Sequence, residues 1–270
     1  MNADAFFMIG KTHAVCQDYA QAKPAHILLS DGCSSSPMSD FGARFLVTAA
    51  HELLADGHIP SGDPVIHTAR QYCRGMNLPT DCLCATLLTS VVREGCFECL
   101  VSGDGVLAVR HRHSGSYQIW TYEYPSGAPY YLRYTLDAKS RQAYQDQFGF
   151  KHKRSAYILF ADGRYEKTDE AVTTTGEQVF TSCWNTKEYD LVAMFTDGVH
   201  SFMQTITTAT TKSEKPVDFM EVVKELLQFK NHNGIFVQRR MRRAFDPALG
   251  NFGKQGWFNT DDLSMGAIVA

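Results

Sequence analysis

Four aspartates stand at the tips of apolar runs: Asp31 after "AHILLS", Asp162 after "AYILFA", Asp197 after "DLVAMFT" and Asp261 at the head of "DDLSMGAIVA". If such strands lie side by side with tips aligned, their carboxylates converge. Like charges that close cannot all stay ionised unless a cation neutralises them. Ligands that are all oxygen select Mg2+ or Mn2+ over zinc, and no HxxxH or HExxH pair competes for the assignment.

The plain alternative is a turn, since Asp and Gly both tolerate turn geometry. Five Asp-Gly pairs occur, at Asp31, Asp56, Asp104, Asp162 and Asp197, so context has to separate them. Asp56-Gly57 closes a helical stretch. After Gly163 the chain turns charged ("RYEK"), as an exposed hairpin would, and Asp162 is read as structural. After Gly198 it continues "VHSF" into a short helical turn. Asp104, in "SGDGV", also reads as a hairpin turn, and both readings stay open.

Strand-like runs dominate what must position these groups: "AFFMIG", "AHILLSD", "CATLLTSVV", "CFECLVSGD", "GVLAVRHR", "YQIWTYEY", "AYILFAD", "DLVAMFTD" and "LSMGAIVA". Helical spacing appears in "SDFGARFLVTAAHELLADG", with Ser39 or Asp40 to cap its start and Gly57 to end it. It appears again in "DPVIHTARQYCRGMN", "VDFMEVVKELLQFK" and "IFVQRRMRRAF". Residues 84 to 124 read as an antiparallel meander of four strands flanked by helices, which favours an α+β layered domain over a doubly wound sheet. No GxGxxG or GxxxxGK[ST] supports a nucleotide fold.

With 270 residues, 44% of them hydrophobic and no linker, the chain reads as a single domain spanning 1–270. A net charge of -3 favours neither nucleic acid nor an anionic membrane as partner. The short apolar run at the N-terminus predicts no signal peptide or span, hence a cytoplasmic protein with reduced cysteines. "CLC" at 82–84 and "CFEC" at 96–99 have a spacing that zinc could use. Cys96 and Cys99 do not share a strand face, so buried thiols are the preferred reading. "RRMRR" is read as a solvated helix surface.

"HAVCQDYA", "LLSDGCSSSPMSDFGARF", "CATLLTSVV...VSGDGVLAVR", "AMFTDGVHSF" and "DDLSMGAIVA" follow one another as in the metal-dependent type 2C protein phosphatases, and the chain resembles the microbial branch of that family along its whole length. The resemblance implies a four-layer α-β-β-α sandwich of two antiparallel sheets flanked by helices, with two Mn2+ or Mg2+ ions at one end. It implies that Asp31 bridges both ions, that the Gly32 carbonyl completes one, and that Asp197 and Asp261 hold the first. Asp18 would bind directly or through water, and Asp104 would serve a third, weaker site. Asp262 competes with Asp261 for its role; the family motif prefers Asp261. In this picture, with Asp31 and Asp18 as the catalytic residues, a water bridging the two ions attacks a phosphoprotein substrate in line. The enzyme is expected to act as a monomer.

Two departures stand out. Where many relatives carry a phosphate-gripping arginine, this chain has His13, with Lys11 nearby, and where animal relatives carry a proposed general-acid histidine it has Cys33. With Gln17 in place of a common glutamate, these keep alive a second reading, a catalytically impaired relative that binds phosphoproteins. A phosphatase for small phosphoesters is the third.

Overall fold

A computed structural model describes residues 1–58, 60–174, 179–207 and 211–270. The strands in chain order are β1 (Asn2–Met8), β2 (Asp18–Lys23), β3 (His26–Asp31), β4 (Leu87–Arg93), β5 (Cys96–Ser102), β6 (Gly105–His111), β7 (Tyr117–Glu123) and β8 (His152–Leu159). They continue as β9 (Tyr165–Thr173), β10 (Val179–Asn185), β11 (Tyr189–Phe195), β12 (Phe202–Thr207), β13 (Lys212–Pro216), β14 (Trp257–Asn259) and β15 (Leu263–Val269). The α-helices are α1 (Ser39–Ala55), α2 (Gly62–Gly75), α3 (Ala138–Phe148), α4 (Phe219–Leu226), α5 (Phe236–Phe245) and α6 (Asn251–Gln255).

Alternation along β3 explains the layering. Ile27 and Leu29 point one way, into a core shared with Leu88, Leu107, Val109, Val192, Met194 and Ile268. Leu28 points the other way, against Leu46, Val47 and Ala50 of α1 and Ile66 of α2. A strand buried on both faces reads as an unbroken apolar run, which is why "HILLSD" shows no period of two. The same logic holds in the second sheet: Val106, Ala108, Ala193 and Met265 face Val223, Leu226, Phe236 and Phe252 of α4, α5 and α6. Helices, sheet, sheet and helices therefore stack in four layers. The large sheet runs β1-β15-β11-β6-β7-β8-β9 and the small one β10-β5-β4-β3-β2, with every neighbour antiparallel. A third sheet, β13-β12-β14, was not expected from the sequence.

The structure corrects the meander. β4 pairs with β5 in the small sheet and β6 with β7 in the large one, so the "SGDG" link is a crossing between sheets. Asp104 thus lies where the sandwich passes from one sheet to the other, not at a hairpin tip. The start of α1 also differs. Neither Ser39 nor Asp40 caps it; Met38 does, with a left-handed φ of 55° and no side-chain cap bond. The Ser39 hydroxyl is buried and accepts from Gln17 Nε2 at 2.7 Å, so it is committed elsewhere. The end of α1 follows expectation: Gly57 takes φ 82°, and the His58 N–H reaches back to the Leu53 carbonyl at 2.9 Å.

Asp162 receives the Arg164 N–H at 3.0 Å in an exposed turn, as its charged surroundings suggested. Cys82 meets Cys73 at 3.4 Å and Cys99 is buried beside Ser90. "RRMRR" is less solvated than expected, because Arg240 is only partly exposed on α5 and ion-paired to Glu225 of α4. Among the described residues no helix is long and apolar enough to cross a membrane.

Candidate metal centre

One end of the sandwich gathers the acidic groups. Asp18 opens β2 and Asp31 closes β3, and antiparallel register sets them directly opposite each other. Asp197 follows β11, Asp104 follows β5 and Asp261 precedes β15. The carboxyl of Asp31 abuts those of both Asp18 and Asp197. Asp104 lies within the field of Asp197 and Asp261. The structure thus brings Asp18, Asp31, Asp104, Asp197 and Asp261 together, with the backbone of Gly32 beside them, and leaves Asp162 out.

Burial raises the pKa of Asp31, and the charges of Asp18 and Asp197 raise it further. Asp104 is raised by burial and by Asp197, and Asp197 by burial and by Asp261. Asp18 is raised by burial, although the Thr196 hydroxyl and Asp31 oppose the rise. Oδ1 of Asp18 and Oδ1 of Asp197 are buried without a hydrogen-bond donor. Such atoms cost free energy unless something supplies positive charge. Among the described residues no three His, Cys, Asp or Glu side chains stand at ready-made ligand spacing. The carboxyls lean on one another instead, as acids sharing protons do. Orphaned buried oxygens and an all-oxygen donor set fit a hard divalent cation.

Hydrogen bonds fix the surrounding groups. Thr196 Oγ1 donates to Asp18 Oδ2 at 2.7 Å and accepts from the Ser264 N–H at 2.8 Å, so one buried hydroxyl ties β15 to β2. Thr86 Oγ1 accepts from the Asp31 N–H at 2.9 Å. The sequence reading missed both threonines, although "TDG" at Thr196 carried a signal: a hydroxyl next to the aspartate it serves. Thr196→Val is expected to lose about 1–3 kcal/mol of stability, because Asp18 Oδ2 and the Ser264 N–H both lose their partner; a denaturation midpoint equal to the wild type would contradict this.

Geometry separates the adjacent pair Asp261 and Asp262. Asp262 is buried and occupied: it accepts from the N–H groups of Gly10 at 2.7 Å and Gln17 at 2.6 Å. Asp261 is 43% exposed in its side chain and faces the acidic cluster. His13 lies between them, Nε2 at 3.3 Å from Asp261 and Nδ1 at 3.1 Å from Asp262. Burial alone would lower the His13 pKa, but Asp262, Asp261 and Asp18 outweigh it and raise it. His13 is thereby engaged as a bridge between carboxylates. Lys11 places Nζ 3.8 Å above the Phe258 ring, so neither group expected to grip phosphate is free of a protein partner. At Cys33 burial raises the thiol pKa, yet hydrogen bonds from Ser35, Tyr131 and Ser36 bring the net below the usual value.

Backbones meet tightly here. A Cβ at Gly198 would stand 1.7 Å from the Asp262 carbonyl oxygen, and one at Gly10 would stand 2.3 Å from the Asp261 carbonyl carbon. Gly198 thus lets the loops bearing Asp197 and Asp261 touch, and Gly10 lets the segment after β1 reach the Asp261 loop.

A family model described as "Protein phosphatase 2C" matches residues 10–246. Among solved structures, a bacterial serine phosphatase bearing an arginine-to-lysine mutation aligns with TM-score 0.55 and 12% identity, over 100% of this chain and 97% of that one. The serine/threonine phosphatase Stp1 from Staphylococcus aureus aligns with TM-score 0.53 and 12% identity, over 100% and 95%. The PPM Ser-Thr phosphatase MsPP from Mycobacterium smegmatis, in complex with cacodylate, gives 0.51 and 11%, over 100% and 98%. Comparison with curated proteins gives no match.

Proposed function

Because the chain belongs to the protein phosphatase 2C family, we propose that it is a Mn2+- or Mg2+-dependent phosphatase of phosphoserine and phosphothreonine in proteins. The observation that carries the reading is the pair of orphaned, buried carboxylate oxygens on Asp18 and Asp197, each beside Asp31. Asp18, Asp31, the Gly32 carbonyl, Asp197 and Asp261 would hold two ions, and Asp104 a weaker third. When bound, such ions supply positive charge that acidifies water and stabilises phosphoryl oxygens.

The chain's own residues do the positioning. Asp31 is shared between Asp18 and Asp197, so it joins the two halves of the cluster. Thr196 holds Asp18 in place, and Asp262 anchors Gly10 and Gln17 so that the N-terminal loop closes over the cluster. His13, set between Asp261 and Asp262, would keep Asp261 turned inward. The leaving oxygen would take its proton from water or from another residue, since Cys33 stands where animal relatives carry the histidine. Residues 1–270 would act as one domain, as a cytoplasmic monomer.

One observation favours the second reading, a phosphoprotein-binding relative without turnover: His13 is tied to two carboxylates and so is not free to bind phosphate. Hydrolysis of p-nitrophenyl phosphate in Mn2+, abolished by EDTA and restored by excess Mn2+, is the expected result. No metal-dependent release would favour the binding module. Phosphopeptides should outcompete sugar phosphates; the reverse would identify a small-ester phosphatase.

A further inference from the structure

The two sheets are unequal, and a cavity results. The small sheet ends at β10, whose rings meet those of β7: Trp184 lies 4.9 Å from Trp120 and Phe180 lies 4.8 Å from Tyr122, centroid to centroid. The large sheet continues past β7 to β8 and β9, so its inner face there has no strand of the small sheet opposite. Arg154, directly across from Tyr122 in the β7–β8 register, stands at this opening, and α3 brings Arg141 to the other side. The space enclosed is about 700 Å³, within the ~300–1,000 Å³ typical of small-molecule sites.

Its chemistry is specific. Five aromatic rings, those of Trp120, Tyr122, Tyr130, Phe180 and Trp184, offer π faces and edges, and no acidic side chain lines the cavity among the described residues. Among the described residues neither guanidinium makes an ion pair; Arg141 approaches the Phe150 ring at 5.8 Å. Unneutralised arginines exclude a cationic ligand and are wasted on a purely apolar one. Planar rings and arginine forks together recognise a flat aromatic group that carries phosphate. None of Asp18, Asp31, Asp104, Asp197 or Asp261 lines this space, so it is separate from the acidic cluster.

We propose that this cavity is a binding site for a nucleotide, its base against Trp120 and Trp184 and its phosphate against Arg141 and Arg154. The inference does not depend on the phosphatase reading.

The test is isothermal titration of the full chain in EDTA with AMP and ADP, with adenosine and inorganic phosphate as separate arms. Saturable binding of a nucleotide below about 1 mM is expected, with adenosine and phosphate each much weaker. Arg154→Ala and Trp184→Leu should each weaken it about tenfold or more, at unchanged thermal midpoint and unchanged p-nitrophenyl phosphate hydrolysis. Asp31→Asn should bind as the wild type does. Absence of saturable binding, equal affinity in both cavity variants, loss in Asp31→Asn, or binding of a phosphopeptide here to the exclusion of nucleotide would each overturn the proposal.

Discussion

Asp31→Asn is expected to slow p-nitrophenyl phosphate hydrolysis in saturating Mn2+ by at least about a hundredfold, a barrier increase of roughly 3 kcal/mol. The reason is the position of Asp31 between Asp18 and Asp197: one substitution deprives both halves of the cluster of the carboxylate they share and, on the proposed function, of a shared ligand. The same change should make the metal-free protein more stable at neutral pH. In the folded chain the Asp31 pKa is raised by burial and by two neighbouring charges, whereas in the unfolded chain it lies near ~4. Between those two values the folded state binds more protons, so metal-free stability is greatest in acid and falls as pH climbs through the raised value. An amide has no acidic proton to lose, so it stays neutral and removes this penalty. Thermal unfolding in EDTA from pH 4 to 8 would show it as a slope flatter than the wild type. A variant that keeps near-normal turnover, or that melts lower than the wild type at pH 8 in EDTA, would remove Asp31 from the centre of the account.

Gly198→Ala should be the most damaging single methyl group near the site. The added carbon would stand 1.7 Å from the Asp262 carbonyl oxygen and 3.1 Å from the Leu263 Cα, both backbone, where no side chain can swing aside. Nor can the strand retreat, since β15 is paired on one side with β1 and on the other with β11. Overpacking typically costs about 1–3 kcal/mol and occasionally more; against rigid backbone the upper end, about 3 kcal/mol, is expected. That corresponds to a midpoint lower by roughly 6–12 °C. Activity should fall with it, because the loops of Asp197 and Asp261 are forced apart. Gly57→Ala is the control: its Cβ meets nothing within 4 Å, so only the left-handed backbone at φ 82° resists it. If Gly198→Ala melts no lower than Gly57→Ala, the close approach of the two loops is not what holds this end together.

The parts of the fold legible in sequence were those with buried faces. β3, β4, β6, β11 and β15 are apolar because they are covered on both sides, and the aspartates that end β3 and follow β11 could be read directly. What sequence did not disclose lies at the edges. β9, "YEKTDEAVT", ends the large sheet and is mostly exposed, and β2 and β10 end the small one, so nothing forces apolar alternation upon them. α3, "AKSRQAYQDQF", buries only Tyr144 and carries almost no helical stripe. Asp104 was ambiguous because a crossing between sheets and a hairpin use the same turn residues; only the partner of the next strand tells them apart. Asp261 and Asp262 were ambiguous because neighbouring carboxylates have the same chemistry, and what distinguishes them, two N–H groups from Gly10 and Gln17, comes from the other end of the chain.

The place of β15 bears on biosynthesis. Leu263–Val269 inserts between β1 and β11, and β1 has no other neighbour in its sheet among the described residues. Until Leu263–Val269 has been made and placed, β1 lacks the only strand it pairs with among the described residues. The first strand and the residue at 261 therefore find their places only after nearly all of the intervening chain has been made.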